Sequence, residues 1–539
     1  MADILSVDPA LTLTGQAVST SPRESVRSLR IATGLLLLCL PSLALVWSFR
    51  DLPHFGVIQD DSLYFQGAKS LAEGSGYRIS SLPTQPYQTK YPPLYPLYLS
   101  LAWHINPSFP SNLTTGLALS WLCVPAILLL TWFWCNRQGF SERRTWVLLV
   151  LIGLNPYIIF FACNIGSELF FLVFALAAML VAERKGRWSP LIAGAIAGAA
   201  YLARTAGIAL LPAAIVYFLL RRRPRPALLF TAGMLPAIAG WIVWCGIHAA
   251  PGQDLVTLCY TSYTRYQFLN VGWDNFGSVL WQNFDALLQS MGSMVFPQML
   301  TGLVAIVVLQ PLAVFIVLGI VRMVRRGEGL LYVLFAAFSA VMLLVWHYPP
   351  NQRFILPLAP LLLAGFCGEM SHLAQALRKT FRHRDRSQRV AAYAFTGWLT
   401  LVLATGFGLQ IYMSASVVPE LFREDRDKDR AHSHLYQWIA ASLPAGSNLL
   451  WERDVELYLA TGYHATSRPI PSRHWYAYGF ERDMDYYRNI DQFAREQNVG
   501  YVVISTGPNS KPEPLRTVSA NPRLEKVHEE GGGVVFRVR

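Results

Sequence analysis

The chain has 539 residues, of which 53% are hydrophobic and only 14% charged, whereas a soluble domain carries about 25% charged residues. Over this length the shortfall fits a chain whose main solvent is lipid. The net charge of +12 lies largely in short loops between apolar runs, so it reads as membrane topology and excludes nucleic-acid binding as a function.

About 20 apolar residues cross a hydrocarbon core at 1.5 Å rise each. Runs near 31–49, 113–134, 146–162, 168–183, 189–203, 206–220, 228–249, 299–321, 330–347, 354–371 and 391–413 predict about eleven transmembrane helices. The first, preceded by Arg23, Arg27 and Arg30, reads as a signal anchor and not a cleaved leader. With residues 1–30 in the cytoplasm, 22 Lys and Arg fall in the inner loops and 7 in the outer ones. That asymmetry orients the bundle and sends the outer loops 50–112 and 250–298, together with the tail 414–539, to the other side. The seven cysteines show no CxxC spacing and none lies beyond Cys367; they read as packing residues, not as zinc ligands or a disulfide framework.

The first outer loop carries Asp60-Asp61-Ser62-Leu63-Tyr64, then Ala68-Lys69-Ser70-Leu71-Ala72, and ends in Lys90-Tyr91-Pro92-Pro93. The apolar spacing from Asp61 to Leu71 predicts an amphipathic helix lying in the interface, with Asp60 near its N-cap. Helix initiation is one explanation of the paired carboxylates. The other is chemistry: one acts as a base, or both, with Glu168, hold a divalent cation, although no clear metal triad is present. Lys90, before a rigid Tyr-Pro-Pro turn, suits a phosphate. Further polar residues lie at outer span ends: Asn164, Ser167 and Glu168, then Arg204, then Asn351, Gln352 and Arg353. Ionisable groups beside spans are costly, so their shared side argues for function over snorkelling or capping.

The tail changes character. It holds 16 Lys and Arg, strand-like runs at Asn448–Trp451, Gly500–Ile504 and Val534–Val538, and helix-like stretches at His432–Ser442 and Asp483–Gln497. Alternation of the two predicts a small α/β domain.

These residues resemble a known group. The Asp60-Asp61 pair followed by Tyr64, Lys90-Tyr-Pro-Pro-Leu-Tyr-Pro, Ser167-Glu168, Ala203-Arg204-Thr205-Ala-Gly and Arg353-Phe-Ile-Leu-Pro-Leu-Ala-Pro are similar to the GT-C superfamily of integral-membrane glycosyltransferases. Within it the chain resembles the protein mannosyltransferase and lipid A aminoarabinose-transferase group, over residues 30–370. The resemblance implies a GT-C-like module at 31–413 and an extracytoplasmic α/β domain at 414–539. It implies sugar transfer from a polyprenyl-phosphate donor to a glycan, lipid or protein acceptor on the outer face, usually with inversion. Asp60 would act as acceptor base with Asp61 as its partner, and Lys90, Arg204 and Arg353 would hold the donor phosphate. Tyr64, Glu168 and Asn351 would support them, and some members use a divalent metal. The tail lacks cysteine and the chain ends in no retention signal, which favours a bacterial inner membrane. The rival readings are a secondary transporter or lipid flippase, and a noncatalytic membrane protein with a binding module as its tail. Against the first, no internal symmetry is visible and the polar residues gather at one face.

Overall fold

The computed structural model describes residues 22–52, 55, 60–250, 252, 254–268, 271–298, 302–383, 385–470, 472–473, 476, 480–507 and 510–539. The chain opens with apolar helix α1 (Pro22–Ser48), then the loop helices α2 (Asp61–Ala72) and α3 (Leu94–Ile105). Helices α4 (Leu113–Trp121) and α5 (Cys123–Arg137) form one apolar rod. Next come α6 (Glu142–Gly153) and α7 (Pro156–Ala162), bent by 55° to each other. The Asn155 side chain accepts from the Tyr157 amide at 3.1 Å, and Pro156 sits at the first helical position; the cap starts a new helix where the old one has ended.

The bundle continues with α8 (Ser167–Ala182), α9 (Ser189–Ala203), α10 (Leu210–Leu220) and α11 (Pro224–Ile247). After α12 (Leu255–Thr261) and α13 (Phe276–Ser293) come α14 (Leu303–Arg325), α15 (Leu330–Leu344), the short α16 (Gln352–Ile355), α17 (Ala359–His383) and α18 (Arg386–Tyr412). Among the described residues six helices are long and apolar enough to cross a membrane, seven if the bent pair counts as one span, and four shorter apolar helices stand where the sequence predicts the rest. The short ones pack through small residues. A Cβ on Gly194 would lie 2.0 Å from the Phe230 carbonyl oxygen, so only glycine lets α9 approach α11 this closely.

A π turn over Met413–Val417 joins α18 to α19 (Val418–Ser442), which enters the C-terminal domain. There β1 (Leu449–Leu450), β2 (Ala465–Thr466), β3 (Tyr501–Ser505), β4 (Leu524–Glu530) and β5 (Gly533–Val538) form a sheet of order β2-β1-β3-β5-β4. The β1 pairings are parallel and those of β5 antiparallel. Strand alternation gives the sheet two buried faces. Val503 and Val535 pack with Leu435 and Ile439 of α19, whereas Val502 and Phe536 pack with Ile490, Ala494 and Val518. Those three come from α20 onwards: α20 (Asp454–Thr461), α21 (Phe480–Arg488), α22 (Ile490–Glu496) and α23 (Pro512–Ser519) complete the domain, Ile490 and Ala494 lying in α22 and Val518 in α23.

One expectation is corrected. Helix α2 forms over the expected residues but is covered by protein and does not lie with one face on lipid. Tyr64, Phe65, Gln66, Ala68 and Ser70 are all buried, because α3 packs on one side and α20 on another. Trp103 of α3 donates to the Phe65 carbonyl at 3.0 Å. Its moderate amphipathicity reflects a helix clamped between protein layers, not one floating on lipid.

Candidate functional site

Asp60 takes the N-cap position of α2 but its side chain makes no capping bond. The carboxylate turns away from the helix. Oδ1 accepts from the Tyr91 hydroxyl at 2.6 Å, and Oδ2 pairs with Arg353. Helix initiation therefore does not account for this residue. Asp61, by contrast, is fully buried in the first turn and its Oδ1 accepts from the Ser62 amide at 2.7 Å. It is not among the residues lining the cavity that Asp60 faces.

Arg353 is delivered by α16. The Asn351 side chain accepts from its backbone amide at 3.0 Å, starting a short helix directly after Pro349-Pro350. The guanidinium then spans two carboxylates, with Nη2 on Asp60 and Nε on Glu168. Glu168, in the first turn of α8, is completely buried. It also receives Arg204 Nη1 at 2.6 Å, and Arg204 bonds Ser167 at 3.0 Å. Ser167 in turn donates to the Tyr64 hydroxyl at 3.1 Å. Glu168 Oε2 has no hydrogen-bond partner among the described residues.

Arg204 reaches this point because α9 ends there. Its backbone is extended (φ −156°, ψ 130°), and a 3-10 turn, Thr205–Ala209, follows. A Cβ on Gly207 would lie 2.6 Å from the Tyr201 amide nitrogen, so the turn can fold back on α9 only with glycine there.

Lys90 is buried, and its Nζ donates to the Cys259 carbonyl at 2.9 Å and lies 5.0 Å and 5.3 Å from the Tyr263 and Tyr91 ring centres. It makes no ion pair among the described residues. With Asp60 and Glu168 balanced by Arg204 and Arg353, Lys90 leaves the group one positive charge in excess. Burial pulls Lys90 below the usual lysine range, with Cys259 and Asp60 opposing. Burial pushes the Asp60 carboxyl up, but Arg353, the Tyr91 hydroxyl, Lys90 and Arg204 outweigh it and hold the group below the ordinary carboxylate range.

Asp60, Lys90, Arg204, Asn351 and Arg353 line a cavity of about 1270 Å³. Its opposite wall is the C-terminal domain, with Arg453, Asp454, Glu456, Arg468 and Lys511. A small apolar cleft meets the cavity at Asp60, Tyr91 and Arg204, lined by Tyr64, Phe171, Phe335, Met342, Leu343 and Phe354. Asp60 and Lys90 of the first loop and Glu168, Arg204 and Arg353 at the span ends, which the sequence reading sends to one side, thus come together. The sequence reading missed Tyr91, Tyr263, and the buried Asp454 with its partner Tyr260, whose hydroxyl donates to it at 2.8 Å. The Asp-Val-Glu start of α20 was the available signal for Asp454.

The trio Asp60, Asp61 and Glu168 does not fit a divalent cation. Arg353 stands between two of the carboxylates, Asp61 is engaged elsewhere, and no group of three or more His, Cys, Asp or Glu gathers among the described residues.

No protein-family model and no curated protein matches the sequence. Solved structures do. The crystal structure of ArnT from Cupriavidus metallidurans in the apo state aligns over 94% of this chain and 98% of that one, with TM-score 0.57 and 16% identity. The structure of the same ArnT bound to undecaprenyl phosphate aligns over 93% and 97%, again with TM-score 0.57 and 16% identity. The protein has the ArnT fold. It is a polytopic membrane protein with a small C-terminal domain, as expected from the sequence. In the ArnT fold of this chain, the ion cluster lies where membrane helices, the loops carrying Asp60, Lys90 and Tyr263, and the C-terminal domain meet.

Proposed function

We propose that this protein transfers a sugar from a polyprenyl-phosphate carrier to an acceptor on the outer face of a bacterial inner membrane. The observation that carries the reading is the junction at Asp60 and Arg204. There a large cavity carrying Lys90, Arg204 and Arg353 and an apolar cleft share a wall. Such a junction suits a substrate with a charged phosphate and a hydrocarbon chain. The ArnT of the same fold bound to undecaprenyl phosphate supports the same chemical class. With the reading goes the division of the chain: a catalytic module at 31–413 and an extracytoplasmic domain at 414–539, supported by the arginine asymmetry.

Lys90, Arg204 and Arg353 take the donor phosphate, and Asp60 takes the acceptor proton. The acceptor hydroxyl or amine attacks the anomeric carbon, the carbon–oxygen bond to phosphate breaks, and its electron pair stays on the departing polyprenyl phosphate. Fixed cations aimed at that oxygen lower the barrier by several kcal/mol, and a placed base contributes about 10²–10⁴-fold. At rest Asp60 is a weak base, because Arg353 and Tyr91 stabilise its ionised form. A phosphate that shares Arg353 and Lys90 weakens that hold and makes Asp60 more basic when substrate is present. Glu168 keeps Arg353 and Arg204 in place, and Tyr64, through Ser167, steadies Arg204.

The test is transfer of radiolabel from a polyprenyl-phosphate sugar in membranes containing wild type or Asp60→Asn. The expected result is transfer by wild type and a loss of at least about 100-fold in the variant. Undiminished transfer by a folded Asp60→Asn protein overturns the assignment of the base. Flux of an intact substrate without any transfer supports a transporter instead.

A further inference from the structure

Helix α18 touches the rest of the bundle along a narrow stripe: Ala392, Leu399, Gly406 and Gln410 are its buried residues. Between it, α6 and α17 runs an apolar groove of about 570 Å³, lined by Val147, Leu151, Phe366, Leu403 and Phe407 among others. One end lies at Gln410, which donates to the Val295 carbonyl at 2.7 Å. The other end holds Arg143, Arg144 and Ser371.

The two arginines start α6, and the chain climbs from them through α6 and α7 to Ser167 and Glu168. Likewise Ser371 is twelve residues along α17 from Ala359, roughly 18 Å. The arginine end therefore faces the membrane surface opposite the Asp60 cluster. Arg144 lies over the Phe140 ring at 3.6 Å, but its polar atoms are only partly satisfied: the Nη atoms reach Glu328 and the Ala364 carbonyl at 3.4 Å, and its buried Nε has no hydrogen-bond partner among the described residues. Arg143 is exposed and makes no ion pair among the described residues. Glu328 offsets one of the two charges and leaves the mouth positive.

We propose that this groove binds one anionic phospholipid of the leaflet opposite the Asp60 cluster. Its phosphate sits at Arg143 and Arg144, and an acyl chain fills the space under α18. Charge at the mouth and hydrocarbon along the length fit that occupant. The polyprenyl phosphate of the proposed reaction would carry its charge at the other face.

Native mass spectrometry of the delipidated protein, with phosphatidylglycerol or phosphatidylethanolamine added back, tests this. Wild type is expected to hold one phosphatidylglycerol at least about tenfold more tightly than phosphatidylethanolamine. Arg143→Gln, at an exposed position, is expected to reduce that preference, and Arg143→Gln with Arg144→Gln to abolish it. Leu403→Trp keeps both arginines but fills the groove, and is expected to lose the tightly held lipid. Equal binding of the two lipids by wild type, or unchanged retention in both Arg143→Gln and Leu403→Trp, means annular lipid only and overturns the proposal.

Discussion

Arg353 and Asp60 stand 293 residues apart in the chain, yet they form an ion pair at the wall of a cavity of about 1270 Å³, and the same guanidinium holds Glu168. Only a planar, forked cation can meet two carboxylates in this way. Arg353→Lys is therefore expected to keep the charge but lose one of the two contacts, lowering transfer by about 10²–10³. Arg353→Ala leaves the fully buried Glu168 and the partly buried Asp60 short of a cation and is expected to cost about 3–5 kcal/mol of stability. Initial rates of sugar transfer, together with thermal unfolding in detergent, separate the two effects.

The state of Asp60 gives a second expectation, in pH. Its folded pKa lies below the ordinary value of 3.8, so it stays ionised to lower pH than a free aspartate, and activity that needs the carboxylate is lost only as pH falls through that lowered value. Tyr91→Phe removes the hydroxyl bond to Oδ1 and is expected to move the acid limb of kcat/KM to higher pH. The measurement is the pH profile of both proteins. An unmoved limb would show that Asp60 is not the group titrating.

What could be read before the fold was known follows from how each residue signals. Glu168, Arg204 and Arg353 each interrupt an apolar pattern at a span end, and Asp60 is one of two adjacent carboxylates in a loop; charge in such places is conspicuous. Tyr91 is one of 24 tyrosines and carries no charge to mark it. Tyr260 and Asp454 become partners only when the C-terminal domain folds onto the segment that carries Tyr260. Strand β2 has two residues, and β4 reads Leu-Glu-Lys-Val-His-Glu-Glu, too polar for a period-two signal. The burial of α2 depends likewise on α20, which covers it from the other end of the chain.

Asp454 supplies a stability prediction in the neutral range. Burial pushes its carboxyl from 3.8 up to about 7, with the Tyr260 hydrogen bond pulling the other way. An acid whose folded pKa is raised binds more protons folded than unfolded, so stability falls as pH rises from about 3.8 to about 7. Wild type is expected to show a declining Tm between pH 5 and 7.5. Asp454→Asn stays neutral and accepts the same hydroxyl, so its Tm is expected to decline less over that range. Parallel curves would mean that Asp454 is not the source of the slope.

Gly207 provides the last test, because it acts on the cluster without belonging to it. The residue added by Gly207→Ala would bring a carbon to within 2.6 Å of the Tyr201 amide nitrogen, and backbone is what it meets. The 3-10 turn must then open, and Arg204, which ends α9 immediately before it, must shift from Glu168 and Ser167. Overpacking of this kind costs about 1–3 kcal/mol. If Arg204 binds the donor phosphate, KM for the polyprenyl-phosphate sugar is expected to rise by about tenfold, whereas KM for the acceptor is expected to stay near its wild-type value. An equal rise in both would assign Gly207 a purely structural part and weaken the case for Arg204 at the phosphate.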